Sequence, residues 1–208
     1  MKEPKAIAEL AHLFSRLPGI GPRQARRFVY TLLIRGAEEV QILAKALNTL
    51  PLTVKRCPTC QRFFDGNGHQ APQCELCRDI DRDQTLLMIV EKDADIGAVE
   101  NAASYNGQYF ILGGLLPVLE KTPNLKIKSD ELSDLVKEKI KHGLQEIIIA
   151  LAASSEGDNT IDYLKPFLAK ILTGNKVKIS ILGRGLSTGS ELEYADSDTL
   201  KNALKNRA

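Results

Sequence analysis

Tryptophan is absent from this 208-residue chain, aromatics make up 5% of it, and it has two methionines. Its core must therefore be built mostly from Leu, Ile, Val and Ala. No apolar run approaches the ~20 residues that cross a bilayer. The opening MKEPKAIAELAHLF carries acids among its apolar residues and lacks the continuous hydrophobic stretch of a secretion signal. The expectation is a cytoplasmic protein. Histidine is scarce as well: His12, His69 and His142 lie outside any recognisable motif, and no Ser-His-Asp set can be assembled from them. No G-x-x-x-x-G-K-[ST] run occurs, so ATP hydrolysis through a P-loop has no support. The glycines at 183, 185 and 189 suggest a dinucleotide fingerprint, but Thr188 stands where glycine is needed and no βαβ unit follows.

What is present begins with hydrophobic residues at 43%, enough to bury the core of one large domain or of two to three small ones. All four cysteines fall in RCPTCQRFFDGNGHQAPQCELC, residues 56–77, as Cys57-x2-Cys60, thirteen residues, then Cys74-x2-Cys77. Each CxxC lets two thiolates meet one ion from a tight turn, and two of them complete the tetrahedral set that Zn2+ favours. A disulfide framework would need an oxidising compartment. A single redox CxxC would leave one pair unexplained. Four sulfurs leave no place for water or substrate, so one structural zinc per chain is expected, folding a segment too poor in apolar residues to fold alone. His69, in the turn-rich GNGHQAP, is expected to be solvated rather than a ligand.

The net charge is only +2, but it is unevenly placed. Between Leu10 and Ala37 there are five arginines and no acid, whereas residues 86–208 hold 15 basic against 17 acidic residues. That asymmetry points to a polyanionic partner. Within the basic stretch, LPGIGPRQARRF places Gly19 and Gly21 in a short turn between two helices, where a backbone can approach without a Cβ in the way. A helix start attracts phosphate. Arg23, Arg26 and Arg27, at i, i+3 and i+4, can reach along a sugar–phosphate track. This is the helix-hairpin-helix pattern of DNA binders that contact the backbone and read little sequence.

Periodicity predicts helices through the first fifty residues: one carrying Ile7, Leu10, Ala11, Phe14 and Leu17, one from Pro22 to about Leu33, and one from Ala37 to about Leu50, stopped by Pro51. After the cysteine loop, TLLMIV (85–90), YFIL (109–112), EIIIAL (146–151) and KVKISIL (176–182) read as buried strands. Helices are expected at about 94–104, 130–142 and 158–172, the last kinked or split at Pro166. Such alternation implies a mainly parallel α/β sheet.

Hairpin, four-cysteine loop and α/β domain, in this order, closely resemble the bacterial recombination mediator family RecR over nearly the full chain. The motifs that carry the resemblance are LPGIGPRQARRF, the paired CxxC, IVEKDADIGAVE, YFILGGLLPVL, EGDNTIDYL and GRGLSTGSELEYADSDTL. The resemblance implies a helical helix-hairpin-helix domain at 1–54, a zinc finger at 55–80, a Toprim fold at 81–183 and a C-terminal segment at 184–208 that packs on a neighbouring subunit. It also implies a homotetrameric ring around DNA, hairpins toward the hole, in the nucleoid. RecO and RecF are the implied partners in loading RecA at single-strand gaps during recombinational repair. The chain departs from the family in a longer insert between its cysteine pairs, in LAASSEGD where Asn-Pro-Thr is usual, and in GRGLSTGS where a Pro and a Gly pair are common.

Catalytic Toprim domains hold Mg2+ with a Glu after the first strand and an Asp-x-Asp after the third. Glu91 matches the first position, but Ala152, Ala153 and Ser154 stand where the Asp pair would fall. Asp93 and Asp95 are expected to start the helix at about 94. The domain therefore reads as non-catalytic. Glu91, Glu156 and Asp158 are the residues the resemblance offers for docking RecO. The alternatives are a Mg2+-dependent nuclease or primase-type enzyme using Glu91, Asp93 and Asp95, and a zinc-ribbon regulator that reads a specific sequence.

Overall fold

A computed structural model describes residues 3–66, 72–118, 126–183, 185–186, 189, 191–195 and 197–205; His69 lies outside them. The chain divides into two compact units, Met1–Lys55 and Arg56–Ala208.

The first unit consists of α1 (Lys5–Ser15), α2 (Pro22–Arg35) and α3 (Ala37–Thr53). Ala11 of α1 meets Ala25 and Val29 of α2, with Ile7, Leu10, Phe14 and Ile20 around them. Two alanines at the crossing let the helices approach closely. Pro51 does not stop α3, which continues to Thr53. The proline sits in the last turn, where few residues follow it, and the Thr53 hydroxyl satisfies that turn by donating to the Thr49 and Leu50 carbonyls at 3.2 and 3.4 Å. No residue of α3 is buried, and Ile34, Leu47, Leu50 and Leu52 present apolar side chains at the surface of this unit.

In the second unit the chain leaves β1 (Val54–Arg56), passes the first cysteine pair, and forms β2 (Phe63–Asp65) and the single-turn α4 (Glu75–Arg78). Then come β3 (Asp83–Val90), α5 (Asp93–Ala102), β4 (Gly107–Ile111), α6 (Ser129–Lys141), β5 (Glu146–Ala150), α7 (Ser155–Ile171) and β6 (Lys178–Ile181). A 3-10 turn (Leu192–Tyr194) and α8 (Ser197–Lys205) complete the described residues. The four main strands form one parallel sheet in the order β4-β3-β5-β6. Each step from strand to parallel neighbour needs a crossover, which α5, α6 and α7 supply.

Both sheet faces are covered, which explains the unbroken apolar strands. Leu87, Ile89, Phe110, Ile147 and Ile149 pack against Leu132 and Val136 of α6 and Leu164 and Leu168 of α7. Met88, Val90, Tyr109 and Ile111 pack against Ile96 of α5. Each such side chain contributes roughly 1.5–3 kcal/mol over leaving it in water. That packing carries α7 across Pro166: the helix is not split there, because the fully buried Leu164 and Leu168 hold it on both sides of the proline.

β4 is an edge strand, and its open edge is covered. Ile111 N–H donates to the Cys60 carbonyl at 2.8 Å, and the Gly107 carbonyl accepts from Arg82 Nη1 at 2.8 Å. Arg82, almost wholly buried, also pairs with Glu100, which accepts the Tyr109 hydroxyl at 2.5 Å.

Candidate nucleic-acid interface and metal centre

The α1–α2 hairpin turns at Gly19, whose φ of +77° favours glycine. Gly21 is extended and caps α2, with Pro22 at its first position. A Cβ at either glycine would meet nothing within 4 Å, so the turn is open to an approaching backbone. Ala25 and Val29 point α2 into α1, which leaves Arg23, Arg26 and Arg27 exposed on the other faces. No acid occupies the first turn of α2. Arg26 is nevertheless partly neutralised: its Nε lies 3.3 Å from Oε1 of Glu3, an acid that precedes α1. Arg23 and Arg27, one helical turn apart, are in no ion pair among the described residues.

The four cysteine sulfurs all lie within 4.8 Å of one another. Cys57, Cys60 and Cys74 are buried and Cys77 half-buried. The first knuckle closes through Cys57 N–H to the Arg62 carbonyl (2.8 Å) and Gln61 N–H to the Cys57 carbonyl (3.0 Å), with Gln61 in the left-handed region at φ +66°. The second opens α4, where Cys77 N–H donates to the Cys74 carbonyl. Cys74 N–H also points at Cys57 Sγ, 3.4 Å away, and Sγ atoms of Cys60 and Cys74 are 3.5 Å apart, unbridged. Hydrogen bonds from Cys60, Cys74 and Cys77 pull the Cys57 thiol down, whereas bonding to Cys57 first, and burial after it, push Cys60 and Cys77 up. Four sulfurs this close cannot all be thiolates unaided, and a cation among them would relieve that. Among the described residues these four are the group able to hold a metal ion, and the donor set fits a closed, tetrahedral site.

At the carboxyl end of the sheet, Glu91 follows β3, and Glu156 and Asp158 occupy the first turn of α7 after the neighbouring β5. Ser154 caps α7, its hydroxyl accepting from Gly157 N–H at 3.1 Å. Asp95 accepts from Lys92 N–H (3.0 Å) at the start of α5, and Asp93 accepts from Phe63 N–H (2.9 Å). Among the described residues, Glu91, Asp93 and Asp95 are not gathered about a point that an ion could occupy.

Comparison with known proteins settles what this architecture is. Residues 85–183 match the Toprim domain, residues 7–50 the RecR helix-hairpin-helix and residues 185–208 the RecR C-terminal region. The chain is 36% identical over 205 residues to "Recombination protein RecR" of Bdellovibrio bacteriovorus, covering 97% of this chain and 96% of that one. It is 34% identical to the proteins of that name in Legionella pneumophila strain Corby (98% and 97% covered) and Desulfatibacillum aliphaticivorans (98% and 96%). The chain belongs to the RecR family.

Membership places the parallel sheet within a Toprim domain and the arginine-bearing turn within a RecR hairpin. The structure brings the four cysteines together and presents the three arginines on one helix. It sets Glu91 apart in sequence from Glu156 and Asp158 but at the same end of adjacent strands. Three contacts went unread in the sequence: Asp93 holding β2, the Cys60 carbonyl holding β4, and Arg82 buried against Glu100. Their only signal was Arg82 and Glu100 themselves, charges flanking strand patterns.

Proposed function

We propose that this protein is a non-enzymatic DNA-binding mediator of recombinational repair, acting with RecO and RecF to load RecA at single-strand gaps. The observation that carries the reading is the hairpin: a glycine turn with open space around it, followed by Arg23 and Arg27 exposed on α2 and unopposed by acid in its first turn. The names of its relatives support the recombination role. The four-cysteine cluster is read as one structural Zn2+ site, held by Cys57, Cys60, Cys74 and Cys77. When bound, the ion neutralises crowded thiolates and clamps the two knuckles. Absence of carboxylates at Ala152–Ser154 and the backbone bonds that occupy Asp93 and Asp95 support a Toprim domain without catalysis.

Glu91, Glu156 and Asp158 are proposed as the RecO contact, an acidic rim at one end of the sheet. A homotetrameric ring is proposed for the assembly, supported by the apolar side chains of α3 that the single chain leaves exposed. The proposed division remains 1–54, 55–80, 81–183 and 184–208, in a cytoplasmic, nucleoid-associated protein; among the described residues, no helix is long and apolar enough to cross a membrane.

Salt dependence tests the central claim. Each phosphate contact adds about −0.9 to the slope of log affinity against log salt on duplex DNA. Replacing Arg23 and Arg27 by Ala should flatten that slope by about 1.8. A double variant with unchanged affinity and slope would show that the hairpin is not the DNA contact.

A further inference from the structure

Phe63 and Phe64 are neighbours on β2 and therefore face opposite ways. Phe64 is buried among the cysteines, and Phe63 is 51% exposed. The Arg56 guanidinium lies over the Phe63 ring, 4.5 Å from its centroid. The strand that presents this ring is fixed: Phe63 N–H is held by Asp93 at the start of α5, and the adjoining knuckle is bonded to β4 through Cys60. Lys128 adds a second cation. It lies over Gly113, where an added Cβ would come within 3.2 Å of Nζ. Burial first, and then the charge of Arg56, hold its ammonium below the usual lysine range. The nearby Arg62 is paired with Glu75. Among the described residues neither Arg56 nor Lys128 is held in an ion pair, although the Glu131 and Asp93 carboxylates lie near enough to Lys128 to favour its charge.

An exposed aromatic on a rigid strand, near two cations that are held in no ion pair among the described residues, matches the requirements of one ligand chemistry. A base supplies a π-face, and its phosphate supplies the anion. Bases in a duplex are already stacked on each other and cannot reach the ring. We propose that Phe63 stacks on an unpaired base of a single strand, with Arg56 and Lys128 holding the adjoining phosphate. The inference rests on the DNA-binding reading above and adds to it a second contact, one that distinguishes single strands from duplex.

The test uses the full chain with three probes at one salt concentration: an oligothymidine, an abasic strand of equal length and a duplex. Phe63→Ala should weaken oligothymidine binding about 5- to 150-fold, leaving the abasic strand and the duplex unchanged. Because the chain has no tryptophan, Phe63→Trp introduces a single reporter whose fluorescence should be quenched by oligothymidine and not by the abasic strand. That variant keeps the test valid should the alanine change disturb folding. Arg56→Ala and Lys128→Ala should each flatten the single-strand salt slope by about 0.7, abasic strand included. Duplex binding by the unaltered protein, with single-strand affinity insensitive to Phe63→Ala and no quenching in Phe63→Trp, overturns this inference and leaves the hairpin reading standing. An unaltered protein that binds none of the three probes overturns both.

Discussion

The amide of Ile111 donates to the carbonyl of Cys60 across 2.8 Å. Ile111 ends the edge strand of the parallel sheet, and Cys60 belongs to the four-sulfur cluster, so the same knuckle that can hold a cation also closes an edge. Unpaired edges are templates for pairing with other chains. Removing the metal with a chelator should therefore loosen that edge before it loosens the sheet interior. Hydrogen exchange should show Ile111 losing protection ahead of Ile149, with self-association growing in parallel. Adding Zn2+ back early should restore the protection of Ile111 and prevent the association. Thiolates must be deprotonated to hold the ion, so release should become easier as pH falls from 7 to 5. Unaltered protection at Ile111 in the metal-free protein would contradict the coupling.

Arg82 is the other closure of the same edge. Its side chain is 6% exposed; Nη1 serves the Gly107 carbonyl and Nη2 serves Glu100, while Nε has no hydrogen-bond partner among the described residues and lies 3.8 Å from Asp79 Oδ2. Arg82→Ala would leave the Gly107 carbonyl without its donor and the Glu100 carboxylate with only the Tyr109 hydroxyl and solvent, at a cost of about 1–3 kcal/mol in urea unfolding. Adding Glu100→Gln removes the carboxylate charge, so the double variant should be destabilised by less than the sum of the two single ones. Strict additivity would mean that the pair does not act as a unit.

The alternation of strand and helix was legible because the elements differ in pattern: LLMIV (86–90) and IIIAL (147–151) are continuous apolar runs, and the helices between them carry polar and apolar residues in turn. Neither proline ends its helix. Local propensity predicts a stop at Pro51 and a break at Pro166, yet α3 and α7 pass through them, α7 because Leu164 and Leu168 are anchored in the core. The paired CxxC announced the metal cluster from spacing alone. The contacts that fix the cluster to the sheet did not show: Cys60 and Ile111, or Phe63 and Asp93, are far apart in sequence and joined through backbone groups. Backbone bonding carries no residue signature, so only a folded chain displays it. The short β1, β2 and α4 were hidden in a stretch with too few apolar residues to have a period.

Gly157 answers to a specific close approach. A Cβ there would lie 1.9 Å from the Ala152 carbonyl oxygen, a backbone atom that cannot swing aside. Gly157→Ala should destabilise the protein by about 3 kcal/mol, the upper end of ordinary overpacking costs, and shift the start of α7. Ser154→Ala, which removes only the cap on the same turn, should cost about 1 kcal/mol. Thermal unfolding of the two variants ranks them directly; equal effects would place the strain elsewhere.

Chemistry at the Toprim domain is the point on which the proposed function is most exposed. Glu91 sits where a catalytic domain would carry a metal ligand, and the residues that would complete the set do not: Ala152 and Ala153 have only methyl groups, and Ser154 has its hydroxyl on Gly157. Asp93 and Asp95 accept backbone N–H groups, so recruiting them to Mg2+ would release β2 from α5 and undo the start of that helix. Supercoiled plasmid incubated with the protein and Mg2+ or Mn2+ should stay intact, and Glu91→Ala should leave DNA affinity unaltered while weakening capture of RecO. Nicking that depends on the divalent ion and disappears with Glu91→Ala would instead establish an enzyme, and the acidic rim would then be its active site rather than a docking surface.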